Sequence, residues 1–472
     1  INLLKVILGT TWGPDTKTLM LLYRALIRSI IDYGSELYDS ASSNTLQKLN
    51  SVQRTCLRLI TGALPNTSLE ALQVECGELP IELRRNKRTE YYKIRLLSLD
   101  QSLPVVQTLN PCWQDEALDL MCGFTNKHRK PLGRRAEEYQ GTVEITAIPP
   151  FPPWELPPPP ILFDIHEKCT TKDDPHLKKL ISLDYINLLW KEHLHIYTDG
   201  SKDPSTGRTS ASFYIPKLKV RQNKRISQVS VCRAEQVAIL LALSWLEQFP
   251  PADVMILSDS LSSLWLLKNP LKIKSNLILE IFLLYKHLIN KGFRISFAWV
   301  PAHCGILGNE EADALAKKAL SFRRTQVPLK LNKTEHRNIS KNQHLEWWQG
   351  QWSHSTKGRP LHYIQPYVRN IQLHEGLCRR DEVIIHRLRL GKALVGEYYF
   401  LIKKRQHNKC LTCNNVDSVG HYLSFCKKYD KERTQLKENL KVKELTIKEM
   451  LKPKHTKHLI QYVKDTNMYH TL

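Results

Sequence analysis

Between residues 193 and 321 the apolar pattern changes period several times, and this constrains the fold more than anything else in the chain. Three short runs with strand character come first: His195–Thr198, Ser210–Ile215 and Lys224–Val231. Helical and strand patterns then alternate. Arg233–Gln248 reads as a helix, Val254–Ser258 as a strand, Leu261–Lys268 and Asn276–Asn290 as helices, Arg294–Val300 as a strand and Asn309–Leu320 as a helix. Three strands followed by alternation predict an α/β fold: a mixed five-stranded sheet with helices on its faces.

Four acidic residues punctuate that stretch: Asp199, Glu235, Asp259 and Asp313. Asp199 and Asp259 are expected at the carboxyl ends of strands, where open α/β sheets form their sites. Gly200 would permit a sharp turn and the close approach of a phosphate there. Glu235 is expected in the first turn of its helix, and Asp313 one turn into another. Each acid alone has an ordinary explanation. Asp199 and Asp259 suit caps, Glu235 suits a helix N-terminus, and Asp313 lies beside Glu310 and Glu311. As a set they are hard oxygen donors of the kind that hold Mg²⁺, with Mn²⁺ as a substitute. Two such ions can clamp the attacking and leaving oxygens of a phosphodiester.

Residues 195–321 resemble a type 1 ribonuclease H domain. The matching pieces are Tyr197-Thr198-Asp199-Gly200-Ser201, Arg233-Ala234-Glu235, Leu257-Ser258-Asp259-Ser260 and Trp299-Val300-Pro301-Ala302-His303-Cys304-Gly305, then Gly308-Asn309-Glu310-Glu311-Ala312-Asp313. The resemblance implies a ribonuclease-H-like sheet, two Mg²⁺ ions on the four acids and hydrolysis of RNA paired with DNA. It puts His303 in the place of a mobile-loop histidine that assists proton transfer or product release, a task suited to a residue type that titrates near neutrality. Ala302 stands where Gly or Ser is often found. Telling RNA from DNA requires contact with the 2′-OH. Gly200, Ser201, Ser260 and Asn309 are the candidates for substrate contact.

A second constellation is Cys410-x-x-Cys413, followed by His421 and Cys426. Four such ligands suit a closed tetrahedral Zn²⁺ site, although reduced structural thiols have the same composition. Lys403, Lys404, Arg405, Lys409, Lys427 and Lys428 surround the cluster, so a zinc-stapled knuckle there would suit nucleic-acid contact.

The flanks divide by composition. Residues 1–145 read as helical, with Thr16–Ile30 and Asn44–Leu64 carrying apolar stripes and basic opposite faces. The proline-dense run at 148–160 marks a linker, taken as 146–192. The nuclease-like domain spans 193–322, a basic Trp-containing connector 323–400, and the Cys/His knuckle with its lysine-rich tail 401–472. Tyr23–Gly34 and Leu49–Arg54 resemble the segment after the polymerase palm in non-LTR retrotransposon reverse transcriptases of the Jockey and I type. That resemblance implies the C-terminal part of a retroelement polyprotein, with residues 1–145 as its thumb or connection. The sequence contains no Tyr/Phe-x-Asp-Asp, so no DNA synthesis is expected, and the upstream polymerase is expected as a missing partner.

The remaining composition agrees with a polyanionic substrate. The 472 residues carry a formal charge of +23, which favours nucleic acid. No apolar run reaches the ~18 residues of a spanning helix, so no membrane partner is expected. Eleven cysteines, mostly scattered singly, fit a reducing intracellular setting, nuclear or cytoplasmic. Two other functions use the same features. One is a non-catalytic hybrid-binding module of this fold. The other is a transposase or integrase, against which the Asp-Glu-Asp-Asp order and the His303 loop argue.

Overall fold

A computed structural model describes residues 2–38, 41–109, 142–146, 152, 155, 158–169, 173–269, 275–368 and 376–472. Among them one compact unit comprises 2–92 and 339–472, and another comprises 93–338.

The second unit is built on a six-stranded mixed sheet in the order β1-β6-β5-β2-β3-β4. Its strands are β1 (Ile161–Leu162), β2 (Leu194–Lys202), β3 (Thr209–Ile215), β4 (Val220–Ile226), β5 (Asp253–Ser258) and β6 (Arg294–Trp299). β2, β3 and β4 form an antiparallel meander, while β2–β5, β5–β6 and β6–β1 pair in parallel. Strand residues alternate between two cores. Ile196, Val254, Ile256 and Phe297 face the core shared with the helices Val231–Leu246 and Asn276–Asn290. Tyr197, Met255, Leu257 and Ala298 face the other, with Ile306 and Ala312. Helices therefore cover both faces, as expected of a ribonuclease-H-like α/β fold.

Several local expectations need correction. The sheet has six strands rather than five, because Ile161–Leu162 pairs with Phe297 and Ala298. That strand lies inside the stretch read as linker. So do the helices Asp164–Lys168 and Pro175–Asp184, which bring Ile165 into the core. Most of the proline run itself lies outside the described residues. The third strand is Val220–Ile226 rather than Lys224–Val231, because Ser230 already caps the next helix by accepting from the Arg233 amide. The last helix begins at Leu307, not Asn309.

The first unit also departs from its expected divisions. The helix Ser43–Thr61 forms as its pattern predicts, with Gly62 as a left-handed C-cap. Yet Cys56, Leu57 and Ile60 share one core with Trp348, Trp352, Leu361 and Leu390. Residues from the expected connector thus pack with the N-terminal helices. Arg24 and Arg28, read on a solvated face, both bond Glu78, at 2.6 and 2.9 Å. Inside this unit Arg389 and His386 enclose Glu75 at 2.9 and 2.8 Å. Burial alone would raise that carboxyl, but the Arg389 charge and the His386 hydrogen bond bring it down to about 2. Among the described residues, no helix is long and apolar enough to cross a membrane.

Candidate active site and Cys/His cluster

Strand register brings the first two acids together. Thr198 of β2 pairs with Ser258 of β5, so Asp199 and Asp259 are the next residues on neighbouring parallel strands. Asp259 follows the end of β5, as expected. Asp199 does not end its strand: β2 runs on to Lys202, and Asp199 pairs with Ser212 of β3. Glu235 arrives from the helix Val231–Leu246 across Gly200. A Cβ on Gly200 would sit 2.3 Å from the Glu235 nitrogen and 2.5 Å from the Ala234 carbonyl carbon. Gly200 is therefore needed for helix-to-sheet contact, not for the turn proposed from sequence.

One ligand oxygen each from Asp199, Glu235 and Asp259 lies within 4.8 Å of the others. Asp199 and Glu235 are buried, and Glu235 Oε2 is buried with no hydrogen-bond partner. Three carboxylates this close, removed from water, repel one another. Burial, with Asp259 and Asp313 nearby, pushes the Asp199 carboxyl up to about 7. Burial and the charges of Asp199 and Asp259 hold Glu235 well above its ordinary range. Burial also raises Asp259, against the hydrogen bond from Asn309 and the nearby His303. The cluster is short of positive charge, and its orphaned oxygen fits a divalent cation.

Asp313 stands apart from this trio. Its carboxylate accepts from Lys317 at 2.6 Å, and its ligand oxygen clusters with His303 and Glu310. Its helix is tied to the sheet by Ser212 Oγ donating to the Ala312 carbonyl at 2.6 Å and Ser210 Oγ to that of Ala316 at 2.7 Å. Gly308 lets this helix meet β2, since a Cβ there would fall 2.2 Å from the Tyr197 ring.

His303 is exposed on the loop between β6 and that helix, with a left-handed backbone (φ 52°). The loop is anchored by Gly305, whose N–H donates to Glu310 Oε1 at 3.0 Å, and by buried Ile306. Asn309 is buried rather than open to substrate, and its Nδ2 donates to Asp259 Oδ2 at 3.4 Å. It positions a carboxylate. Ser260 Oγ donates to Ser263 at 2.8 Å, and Ser201 is half-buried.

Three residues here were missed from sequence. Lys317 could have been found from its opposite charge four positions after Asp313. Glu310 was read only as one of several acids near a helix start. Arg233, quoted with Ala234-Glu235 but given no role, is buried between Glu144 at 2.8 Å and Glu335 at 2.7 Å, fixing the start of the Glu235 helix. Nothing in the local sequence marks that pairing.

Residues 191–321 match the family model for RNase H. The chain therefore contains a ribonuclease H domain. The match supports RNA–DNA hybrid ribonuclease activity and nucleic-acid binding for this stretch. It covers all four acids and His303 of the ribonuclease H domain, as well as Glu310 and Lys317.

The second constellation also converges. Ligand atoms of Cys410, Cys413, His421 and Cys426 lie within 4.8 Å of one another. Cys426 Sγ is 3.8 Å from Cys410 Sγ and 3.9 Å from Cys413 Sγ. Tetrahedral bonds of ~2.3 Å would separate two sulfurs by ~3.8 Å. His421 is buried beside the three sulfurs. Burial pushes the Cys410 thiol up, but hydrogen bonds from His421 and the Cys413 and Thr412 amides outweigh it and bring it to about 7. These residues fit Zn²⁺.

Proposed function

We propose that this chain cuts the RNA strand of RNA–DNA hybrids in a divalent-cation-dependent hydrolysis. The observation carrying the reading is the convergence of Asp199, Glu235 and Asp259 within 4.8 Å, with a buried Glu235 oxygen lacking any partner. Asp313 completes the acidic site by releasing Lys317. When bound, Mg²⁺ would supply Lewis-acid stabilisation of charge on the attacking and leaving oxygens. The protein's own residues do the positioning. Asn309 orients the Asp259 carboxylate, Trp299 Nε1 donates to the Asp259 carbonyl at 3.0 Å, and Gly200 lets Glu235 approach. His303, exposed and anchored through Gly305, serves proton transfer at the leaving 3′ oxygen.

We further propose that the chain is part of a retroelement polyprotein whose polymerase palm lies elsewhere. The support is the order of a helical region, a ribonuclease H domain and a Cys/His knuckle, together with the motifs at Tyr23–Gly34 and Leu49–Arg54. Zn²⁺ on the knuckle belongs to the same proposal.

Asp259→Asn tests the catalytic claim. Cleavage of a labelled hybrid should be lost while hybrid binding persists. Retained cleavage would refute the role of the carboxylates. Binding without cleavage by the unaltered chain would favour the non-catalytic module.

A further inference from the structure

The stretch expected to be a linker is built into the edge of the cleavage site. It precedes residue 191, where the match to the RNase H family begins, and so lies outside the matched residues. Its described parts are 158–169 and 173–190. The Phe297 amide donates to the Pro160 carbonyl at 2.9 Å, and Leu162 pairs with Ala298, the residue before Trp299 on β6. Ile165, Cys169, Ile186 and Trp190 then fill one core with Val300, Ile306 and Ala312. Val300 and Ile306 bracket the turn that carries His303. These apolar contacts seat the stretch.

Two polar side chains reach further, and neither belongs to that core. His166 is half-buried, and its ring meets the Trp299 ring edge-on with centroids 5.1 Å apart. Trp299 Nε1 in turn donates to the Asp259 carbonyl at 3.0 Å. Phe163 stacks on Trp265 at 4.7 Å, in the helix Leu261–Leu267 that leaves Asp259 through Ser260. The Asp259 main chain thus lies between two contacts of the same stretch.

The second side chain is Lys179, half-buried in the helix Pro175–Asp184. A Cβ built on Gly305 would sit 3.3 Å from Lys179 Nζ, and 3.6 and 3.7 Å from its Cδ and Cε. Gly305 and His303 both have left-handed backbone, with φ of 79° and 52°. In a histidine this conformation is costly and persists only where surrounding contacts hold it. Glu310 accepts from the Gly305 N–H at 3.0 Å, and the Lys179 stem adds a second hold on the same residue.

We propose that this stretch positions the cleavage machinery from outside the matched domain, with His166 a positioning residue for Asp259 and Lys179 one for the His303 turn. Both roles rest on Asp259 and His303 belonging to a nuclease site.

The test compares the full chain with His166→Ala and Lys179→Ala in two measurements. One is steady-state cleavage of a labelled RNA–DNA hybrid with Mg²⁺, and the other is hydrogen exchange without substrate. Each substitution should lower kcat about 3–10-fold with KM changed less than about twofold, well short of the ~100-fold that a ~1 Å misplacement can cause. His166→Phe keeps the ring edge and Lys179→Met the unbranched stem, so both should retain most of the rate. In a His303→Ala background, Lys179→Ala should cost less than about twofold, because the residue it positions is gone. Exchange should rise at residues 303–306 in Lys179→Ala and at 259–261 in His166→Ala, while β2 and β5 keep their protection. The proposal is overturned if either alanine variant cuts and exchanges as the parent does. It is equally overturned if Lys179→Ala raises KM and keeps its full effect beside His303→Ala, which would make the lysine a substrate contact. Loss of β2 protection in either variant would make that side chain structural and also overturn it. If the parent chain does not cut the hybrid, the nuclease reading fails, and the exchange pattern alone decides whether the two side chains hold these segments.

Discussion

Replacing Asp199 by Asn should stabilise the ribonuclease H domain when divalent cations are absent, and only above acidic pH. Asp199 is buried, and its carboxyl is pushed from 3.8 to about 7 by burial and by Asp259 and Asp313. A folded-state pKa above the unfolded one means that the native state binds the proton more tightly. Stability is then fullest below about pH 4 and is lost as pH rises towards 7. A shift of roughly 3 units, at about 1.4 kcal/mol each, sets an upper limit near 4 kcal/mol. Glu235 and Asp259 are raised as well and respond when one charge of the cluster disappears. A gain of about 2–4 kcal/mol at pH 8 is therefore expected, and little at pH 4. The assay is urea unfolding of both proteins in EDTA at the two pH values, followed through hydrogen-exchange protection of β2 so that the domain itself is read. Mg²⁺ should narrow the gap by stabilising the parent protein more than the variant. A variant less stable than the parent at pH 8, or equally stabilised at both pH values, would refute the electrostatic reasoning.

Other outcomes follow from the same geometry. Gly200→Ala should cost about 1–3 kcal/mol, because the new Cβ meets the Glu235 backbone at 2.3 Å; a melting curve and a cleavage assay should fall together. Glu310→Ala should release the His303 loop and lower kcat about 3–10-fold with little change in KM, from a hydrogen bond contributing ~0.5–1.5 kcal/mol. Glu310→Gln, which still accepts from Gly305, should retain most of the rate. Removing Zn²⁺ with a chelator should strip amide protection from residues 405–430 but leave β2 and β5 protected, because the cluster and the sheet have separate cores.

The legible parts of the fold were those set by local pattern. Val231–Leu246 and Asn276–Asn290 declared themselves by apolar spacing, and Asp259 by the abrupt end of a short apolar strand. Asp199 was misplaced to a strand end because β2 continues through Gly200 and Ser201, residues that look like a turn until β3 pairs with them through Lys202 and Thr209. The edge strand Ile161–Leu162 is only two residues long and exists through its pairing with β6. No local signal distinguishes it from a linker. Trp348 and Trp352 were assigned only to a basic connector, yet they fill a core whose other half lies some 300 residues earlier in the chain. At the site, residue type identified the carboxylates, whereas the roles of Asn309, Glu310 and Arg233 depend on partners that only the folded chain brings near.

Cleavage by the purified full chain of an RNA–DNA hybrid labelled on both strands, with Mg²⁺ and then with excess EDTA, tests the central claim most directly. The account predicts cutting of the RNA strand alone, dependent on Mg²⁺ and absent in Asp259→Asn. Cutting that persists in EDTA, or that survives Asp259→Asn, would contradict it.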